Sequence, residues 1–169
     1  MTTSRIALLA FGTALGIVTT QPAFAKGVLR YGMAAQDVGT MDPHRATTTP
    51  DKPITGWLFN GLVRFRPGSD DIGALEPDLA ESWTSNADGT EWTFKLRSGV
   101  KFHHGYGELT ADDVVFSLKR AGNSATSAFS ADYRSIDTIE AVDPLTVKIK
   151  LKQPIPSLLG LVANYHGGN

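Results

Sequence analysis

A histidine pair and nearby carboxylates are the residues whose types and spacing most invite chemistry in this chain. His103 and His104 precede Glu108, and Asp112 and Asp113 follow shortly after. Imidazole and carboxylate groups are the usual zinc ligands and general acid–base catalysts. The segment therefore raises the hypothesis of a secreted hydrolase or metalloprotein that uses His103, His104 and Glu108.

The elements that must position these side chains do not favour convergence on one substrate or ion. Thr110 precedes apolar residues at helical spacing, so it is predicted to cap a helix in which Asp113 completes a capping box. Consecutive residues in a helix, such as Asp112 and Asp113, diverge by about a hundred degrees. His103 and His104 would point to opposite faces if the preceding β-prone stretch continued. We therefore expect no catalytic residue and no metal site.

Other patterns that would indicate an enzyme are also missing from the 169 residues. The chain has no cysteine, which excludes a thiol nucleophile and a cysteine-based zinc site. It lacks the GxSxG, Walker and GxGxxG patterns, so no cofactor is expected. The formal net charge of −1 gives no support for nucleic-acid binding.

The first 25 residues have the three parts of a secretory signal peptide. A short polar segment ends at Arg5, an apolar stretch runs from about Ile6 to Val18, and Ala23-Phe24-Ala25 is typical of a cleavage site. The apolar stretch is too short to cross a bilayer comfortably. We expect it to be cleaved on export, leaving a soluble mature protein.

The remaining pattern alternates short strands and helices, which predicts a mixed α and β fold. Period-two alternation indicates two hairpins, with turns at Asp88-Gly89 and Asp143-Pro144. Asp51 is expected to cap a helix that Gly61 ends. In chain order, the predicted elements are a strand at 28–33, a helix at 51–61, a strand at 62–65, a hairpin at 82–97, a helix at 111–121, a hairpin at 136–151 and a helix at 156–165.

A row of lysines runs along the second strand of the second predicted hairpin. Lys148, Lys150 and Lys152 alternate with apolar residues, so they share one face of a strand. An anion-binding strip is one interpretation. We favour a solvated sheet face whose charges also discourage pairing at an edge.

The order of several motifs resembles a known protein family. These motifs are LRYG, DVGTMDPH, LFNGLVRF, LEPDLAESW, DGTEWTFKLRSGVKFHHG, LTADDVVFSLKR and IEAVDPLTVKIKLKQP. Their series is similar to the N-terminal part of the solute-binding proteins of extracytoplasmic family 5, the dipeptide-, oligopeptide- and nickel-binding proteins of ABC importers. The resemblance spans residues 28–169 and is most specific from Glu76 to Arg120.

This resemblance implies an α/β, bilobal, periplasmic-binding-protein-like fold that closes on a ligand by a hinge. The implied function is capture of a peptide or related small solute for an inner-membrane permease, by a monomer that does no covalent chemistry. A nickel, haem or other non-peptide solute is the alternative within the family. Members are several hundred residues long, so we expect this chain to be an N-terminal fragment.

The resemblance also implies a division of the chain. Residues 1–25 would be the signal peptide, 26–47 the first strand and cleft loop of the main lobe, 48–160 a small accessory α/β domain, and 161–169 a truncated return to the main lobe.

Five candidate ligand-binding residues follow from the same resemblance. The loop before Met41-Asp42-Pro43 lies at the cleft in relatives, which indicates Gln36, Asp37 and Val38, the last through its main chain. An aromatic side chain, Phe129 or Tyr133, is expected to reach in from the small domain. The turn at 105–108 is one residue longer than the commonest family pattern.

Overall fold

The computed structural model describes residues 30, 32 and 37–163. By internal contacts the chain divides into two units, Met1–Gly32 and Met33–Asn169, and all described helices and strands belong to the second. The predicted signal peptide, the strand predicted at 28–33 apart from residues 30 and 32, and the candidate Gln36 lie outside the described residues. Within the described part, no helix is long and apolar enough to cross a membrane.

Three helices and six strands make up the described secondary structure. In chain order they are α1 (Asp51–Leu58), β1 (Val63–Arg64), β2 (Glu76–Pro77), β3 (Ala80–Ser85), β4 (Glu91–Leu96), α2 (Ala111–Ala121), β5 (Ile136–Asp143), β6 (Thr146–Leu151) and α3 (Leu158–Val162). Short 3₁₀ turns occupy Ile72–Ala74 and His103–Gly105.

A four-stranded antiparallel sheet in the order β3-β4-β6-β5 is the centre of the unit. The two predicted hairpins, β3–β4 and β5–β6, are confirmed. The prediction that the lysine row guards an edge is wrong, because β6 pairs with a strand on each side. Lys148 instead approaches Glu91 on β4, with Nζ 3.1 Å from Oε1.

Helix α2 covers one face of this sheet. Its residues Val114 and Leu118 are buried in a core that also contains Phe94 and Ile149. The predicted capping box between Thr110 and Asp113 is confirmed. The Ala111 N–H donates to the carbonyl of Pro144 at 2.8 Å, so the start of α2 is bonded to the β5–β6 turn.

Helix α1 differs from its prediction at both ends. Pro50, not Asp51, precedes the first turn, and the Asp51 carboxylate accepts hydrogen bonds from the Thr48 hydroxyl and the Gly39 N–H. The helix ends at Leu58, before Gly61. A Cβ on Gly61 would lie 2.7 Å from the Val162 carbonyl oxygen, so this glycine permits close packing against the end of α3. Helix α3 lies within the range predicted for it.

Candidate functional site

The loop at residues 37–48, called here the anchored loop, contains the described candidates that precede the first helix. Asp37 is exposed, and its Oδ1 accepts a hydrogen bond from the Val38 N–H at 2.7 Å. Val38 is half-buried. Both lie at the start of the loop, so its conformation determines where their polar groups can point.

Asp51 fixes the first part of the anchored loop. Its side chain is on α1 and is only 1% exposed. Oδ1 accepts from the Gly39 N–H at 2.8 Å and Oδ2 from the Thr48 hydroxyl at 2.7 Å, so both ends of the loop are bonded to one carboxylate. The Thr48 hydrogen bond, aided by the backbone N–H groups of Gly39 and Thr40, lowers the pKa of Asp51 against the opposing effect of burial.

Arg120, in the last turn of α2, fixes the second part. Its guanidinium donates to both carboxylate oxygens of Asp42, with Nη1 2.9 Å from Oδ1 and Nη2 bonded to Oδ2. The same Nη1 lies 2.5 Å from Nδ1 of His44, which is 2% exposed. A guanidinium only donates hydrogen bonds, so Nδ1 of His44 is the acceptor in this contact.

The ion pair determines the charge state of this network. Hydrogen bonding from Arg120 is the main reason that the pKa of Asp42 is lowered, and it outweighs burial. The pKa of Arg120 is raised chiefly by its hydrogen bond to Asp42. Both side chains are about three-quarters covered, with 25% exposure for Asp42 and 29% for Arg120. Near neutral pH the pair is therefore fully ionised.

A second loop, residues 122–135, lies against the anchored loop and is called here the Phe129 loop. The Ala128 N–H donates to the His44 carbonyl at 2.9 Å, and Arg45 Nη2 donates to the Ala125 carbonyl at 3.3 Å. Phe129 is half-buried and packs against the core. The structure thus brings the loop that carries both predicted aromatic residues, Phe129 and Tyr133, directly beside the predicted cleft loop.

Tyr133, the other predicted aromatic contact, is a core residue. It is 4% exposed, and its Cβ would lie 3.4 Å from a Cβ placed on Gly122 at the end of α2. Burial raises the pKa of its phenol. The side chain is covered in this conformation. A ligand contact by Tyr133 stays a prediction.

A cavity of about 390 Å³ opens beside the Asp42–Arg120 pair. Aromatic side chains form much of its wall, and Phe116 on α2 is 70% exposed. Its lining residues come from the anchored loop, the end of α1, the segment before the 3₁₀ turn and one face of α2; they are Asp42, Pro43, His44, Phe59, Phe102, Asp113, Phe116, Ser117 and Arg120. Its size falls within the range of small-molecule sites.

Arg120 is not among the candidates predicted from the sequence, although a local signal points to it. Asp113, Phe116, Ser117 and Arg120 recur at helical spacing and form a second stripe of α2, distinct from the apolar stripe that faces the sheet. Arg120 could be read as a favourable charge at a helix C-terminus. Its real partners, in the loop at 42–44, are far away in sequence.

The histidine-rich segment forms an exposed turn instead of a continued strand. Lys101 pairs with Glu108, and His103–Gly105 is a single 3₁₀ turn between them. His104 has φ 59°, and Gly105 and Gly107 have φ 79° and 101°. His103, His104 and Glu108 are exposed, and among the described residues no three His, Asp or Glu side chains are grouped as a metal would require.

Solved structures of binding proteins share this architecture. The binding protein MoaA from A. tumefaciens, in complex with mannopinic acid, is 53% identical with a TM-score of 0.77, over 80% of this chain and 28% of that one. DppA from Helicobacter pylori, in complex with the peptide STSA, is 30% identical with a TM-score of 0.70, over 78% of this chain and 28% of that one. The mixed α and β fold class is therefore confirmed.

Sequence relatives lead to the same group. The glutathione-binding protein GsiB of Escherichia coli is 34% identical over 161 residues, which are 95% of this chain and 30% of GsiB. This chain thus spans about a third of the length of such relatives. The family model described as "Bacterial extracellular solute-binding proteins, family 5 Middle" matches residues 74–168. The predicted family is confirmed: this chain belongs to the bacterial extracellular solute-binding proteins of family 5.

Proposed function

We propose that this chain is part of a periplasmic receptor of an ABC importer, which captures a peptide or related small solute and delivers it to an inner-membrane permease. The observation that carries the proposal is the 53% identity to MoaA at a TM-score of 0.77. The ligands named for MoaA, DppA and GsiB are mannopinic acid, a peptide and glutathione. All three are small molecules that carry carboxylate groups.

The geometry of the anchored loop supports binding without covalent chemistry. Two carboxylates and one guanidinium hold this loop against α1 and α2. A loop that is ordered before the ligand arrives loses less conformational entropy on binding. Asp37 and Val38 would then present polar groups to the ligand from a fixed backbone.

The proposed domain boundaries are those that the family resemblance implies. Residues 26–47 would contribute a strand and the cleft loop to the main lobe, 48–160 would form an accessory domain, and 161–169 would begin the return to the main lobe. Export through cleavage of residues 1–25 would place the receptor in the periplasm. Gln36, Asp37, Val38, Phe129 and Tyr133 are the proposed ligand contacts.

A chimeric receptor tests this proposal. Residues 37–163 would replace the corresponding region of MoaA, and mannopinic acid binding would be measured by titration calorimetry alongside unmodified MoaA. We expect the affinity to lie within about tenfold of that of MoaA. A tenfold change in Kd corresponds to roughly 1.4 kcal/mol of binding free energy, which is a modest loss of contacts between the protein and the ligand. A chimera that melts cooperatively but releases no heat with mannopinic acid, peptide STSA or glutathione would contradict the proposal.

A non-peptide solute is the second candidate. It is favoured by one observation, that identity is 53% to the mannopinic acid complex and 30% to the peptide complex. Competition between mannopinic acid and peptide STSA on the same chimera separates the two candidates. Nickel and haem would be titrated in parallel, since both remain alternatives within the family.

A further inference from the structure

The two segments predicted to contact ligand meet at one residue of α2. The Arg120 side chain bonds to Asp42 and His44 of the anchored loop. Its main-chain carbonyl accepts from the Thr126 hydroxyl of the Phe129 loop at 2.8 Å. We propose that Arg120 is a positioning residue, which fixes the anchored loop and the Phe129 loop in the relative arrangement needed to bind ligand. This inference rests on the proposed receptor function.

The geometry requires arginine and not simply a positive charge. Two parallel hydrogen bonds to the Asp42 carboxylate fix both the position and the tilt of that side chain. Asp42 in turn accepts from the His44 N–H through Oδ1 at 3.0 Å, while its carbonyl accepts from the N–H groups of Arg45 and Ala46, each at 3.0 Å. Lysine would keep the charge but could not donate two parallel hydrogen bonds to the Asp42 carboxylate.

His44 extends the effect of Arg120 to the Phe129 loop. Its ring lies against Arg120 Nη1, and its carbonyl accepts from the Ala128 N–H. A shift of the guanidinium would therefore disturb the ring and, through the same residue, the backbone bond next to Phe129. The Phe129 loop is thus held to Arg120 twice, through Thr126 directly and through His44.

The surroundings of the ion pair strengthen it. Asp42 and Arg120 are each about three-quarters covered, and limited access of water makes a charged hydrogen bond stronger. Asp113 lines the cavity beside this pair, but its Oδ2 accepts from the Thr110 N–H and hydroxyl in the capping box. The carboxylate that binds the guanidinium is that of Asp42, whereas the Asp113 carboxylate, seven residues earlier on α2, serves the helix cap.

Amide hydrogen exchange on the full 169-residue chain tests this role without ligand. The variants are Arg120→Lys, which keeps the charge, and Asp42→Asn, which keeps one acceptor. Lys119→Gln is the matched control, because it removes a charge from the adjacent exposed position of α2. The amides of His44, Ala46 and Ala128 are the readout, and amides of β4 and β6 report global unfolding.

We expect Arg120→Lys to raise exchange at the three loop amides at least tenfold while β4 and β6 stay within twofold. Asp42→Asn should give an intermediate increase, and Lys119→Gln should leave all amides within twofold. Unchanged exchange at the loop amides, or an increase shared equally by β4 and β6, would overturn the positioning role, since the residue would then be neutral or only structural.

The MoaA chimera links this order to ligand binding. Arg120→Lys in the chimera should weaken mannopinic acid binding at least fivefold, and Lys119→Gln should change it less than twofold. Faster loop exchange with unchanged affinity would overturn the inference. A folded parent chimera that binds none of the solutes would instead contradict the proposed function, and the exchange comparison would still decide whether Arg120 holds the two loops.

Discussion

The turn at residues 101–108 and the anchored loop both place histidine near carboxylate groups, but they are built differently. In the turn, His103, His104 and Glu108 are close in sequence and exposed. In the anchored loop, His44 is 2% exposed and contacts Arg120, which lies 76 residues away in sequence. In this protein, the segment with many titratable residues close in sequence is a solvated turn. The segment whose backbone is held in place by polar side chains is the anchored loop, and its hydrogen bonds join residues that are far apart in sequence.

Different forces specify the two regions. The turn depends on backbone conformation, because His104, Gly105 and Gly107 all have positive φ values, which favour glycine. The anchored loop depends on side chains, because Asp42 and Asp51 accept bonds from Arg120, Thr48 and backbone N–H groups. Removal of a side chain should therefore damage the loop and spare the turn, and backbone restriction should damage the turn.

The largest effect is expected for Arg120→Ala. Asp42 would keep its charge in a largely covered position with only Arg45, whose Nε lies 3.9 Å from Oδ2, as a nearby cation, and the loop would lose two charged hydrogen bonds. We expect the free energy of unfolding to fall by about 2–3 kcal/mol in urea denaturation at pH 7. Lys119→Ala on the same helix should change it by less than about 0.5 kcal/mol. Equal losses for the two variants would remove the distinction between the loop and an ordinary surface.

The pH dependence of unfolding, compared between the parent chain and Arg120→Ala, tests the role of the ion pair. The folded pKa of Asp42 is depressed below 3.8, so its pairing stabilises the protein above that pH and is lost as pH falls through the lower folded value. The difference between the parent chain and Arg120→Ala should therefore shrink below about pH 4. Asp51, Asp88 and Asp143 also have lowered pKa values, but they are present in both proteins. A difference that stays constant down to pH 2 would exclude the ion pair as its source.

Local signals explain what could be predicted from the sequence. The two hairpins and α2 were predictable because strand alternation, turn dipeptides and the Thr110–Asp113 box each lie within a short stretch. The bond from Arg120 to Asp42 joins residues 78 apart, and the central place of β6 depends on strand order. Tertiary packing decides both features. The prediction that Asp51 caps α1 is wrong because tertiary packing decides its partners, and nothing local shows that Gly39 approaches its carboxylate.

A smaller effect is expected in the turn, for Gly107→Ala. Its φ of 101° is a conformation that residues with a Cβ rarely adopt, although no atom would touch that Cβ. We expect a loss of about 1–2 kcal/mol from backbone strain alone, measured by thermal or urea unfolding. Gly56→Ala is the control, because Gly56 lies within α1, its φ is not positive and its Cβ position is also open. That variant should be neutral or slightly stabilising, and a comparable loss at both positions would argue against strain.

The smallest effect is expected for alanine at His103, His104 and Glu108 together. All three side chains are exposed, and surface substitutions of this kind usually change the free energy of unfolding by less than about 0.5 kcal/mol. In the MoaA chimera, mannopinic acid affinity should stay within twofold. Zinc should not alter the melting temperature of the parent chain or of the triple variant. Two outcomes would contradict this prediction: loss of solute binding with an unchanged melting temperature, or stabilisation by zinc of the parent chain alone. Either would show that the turn is a binding or metal site, and the contrast with the anchored loop would no longer hold.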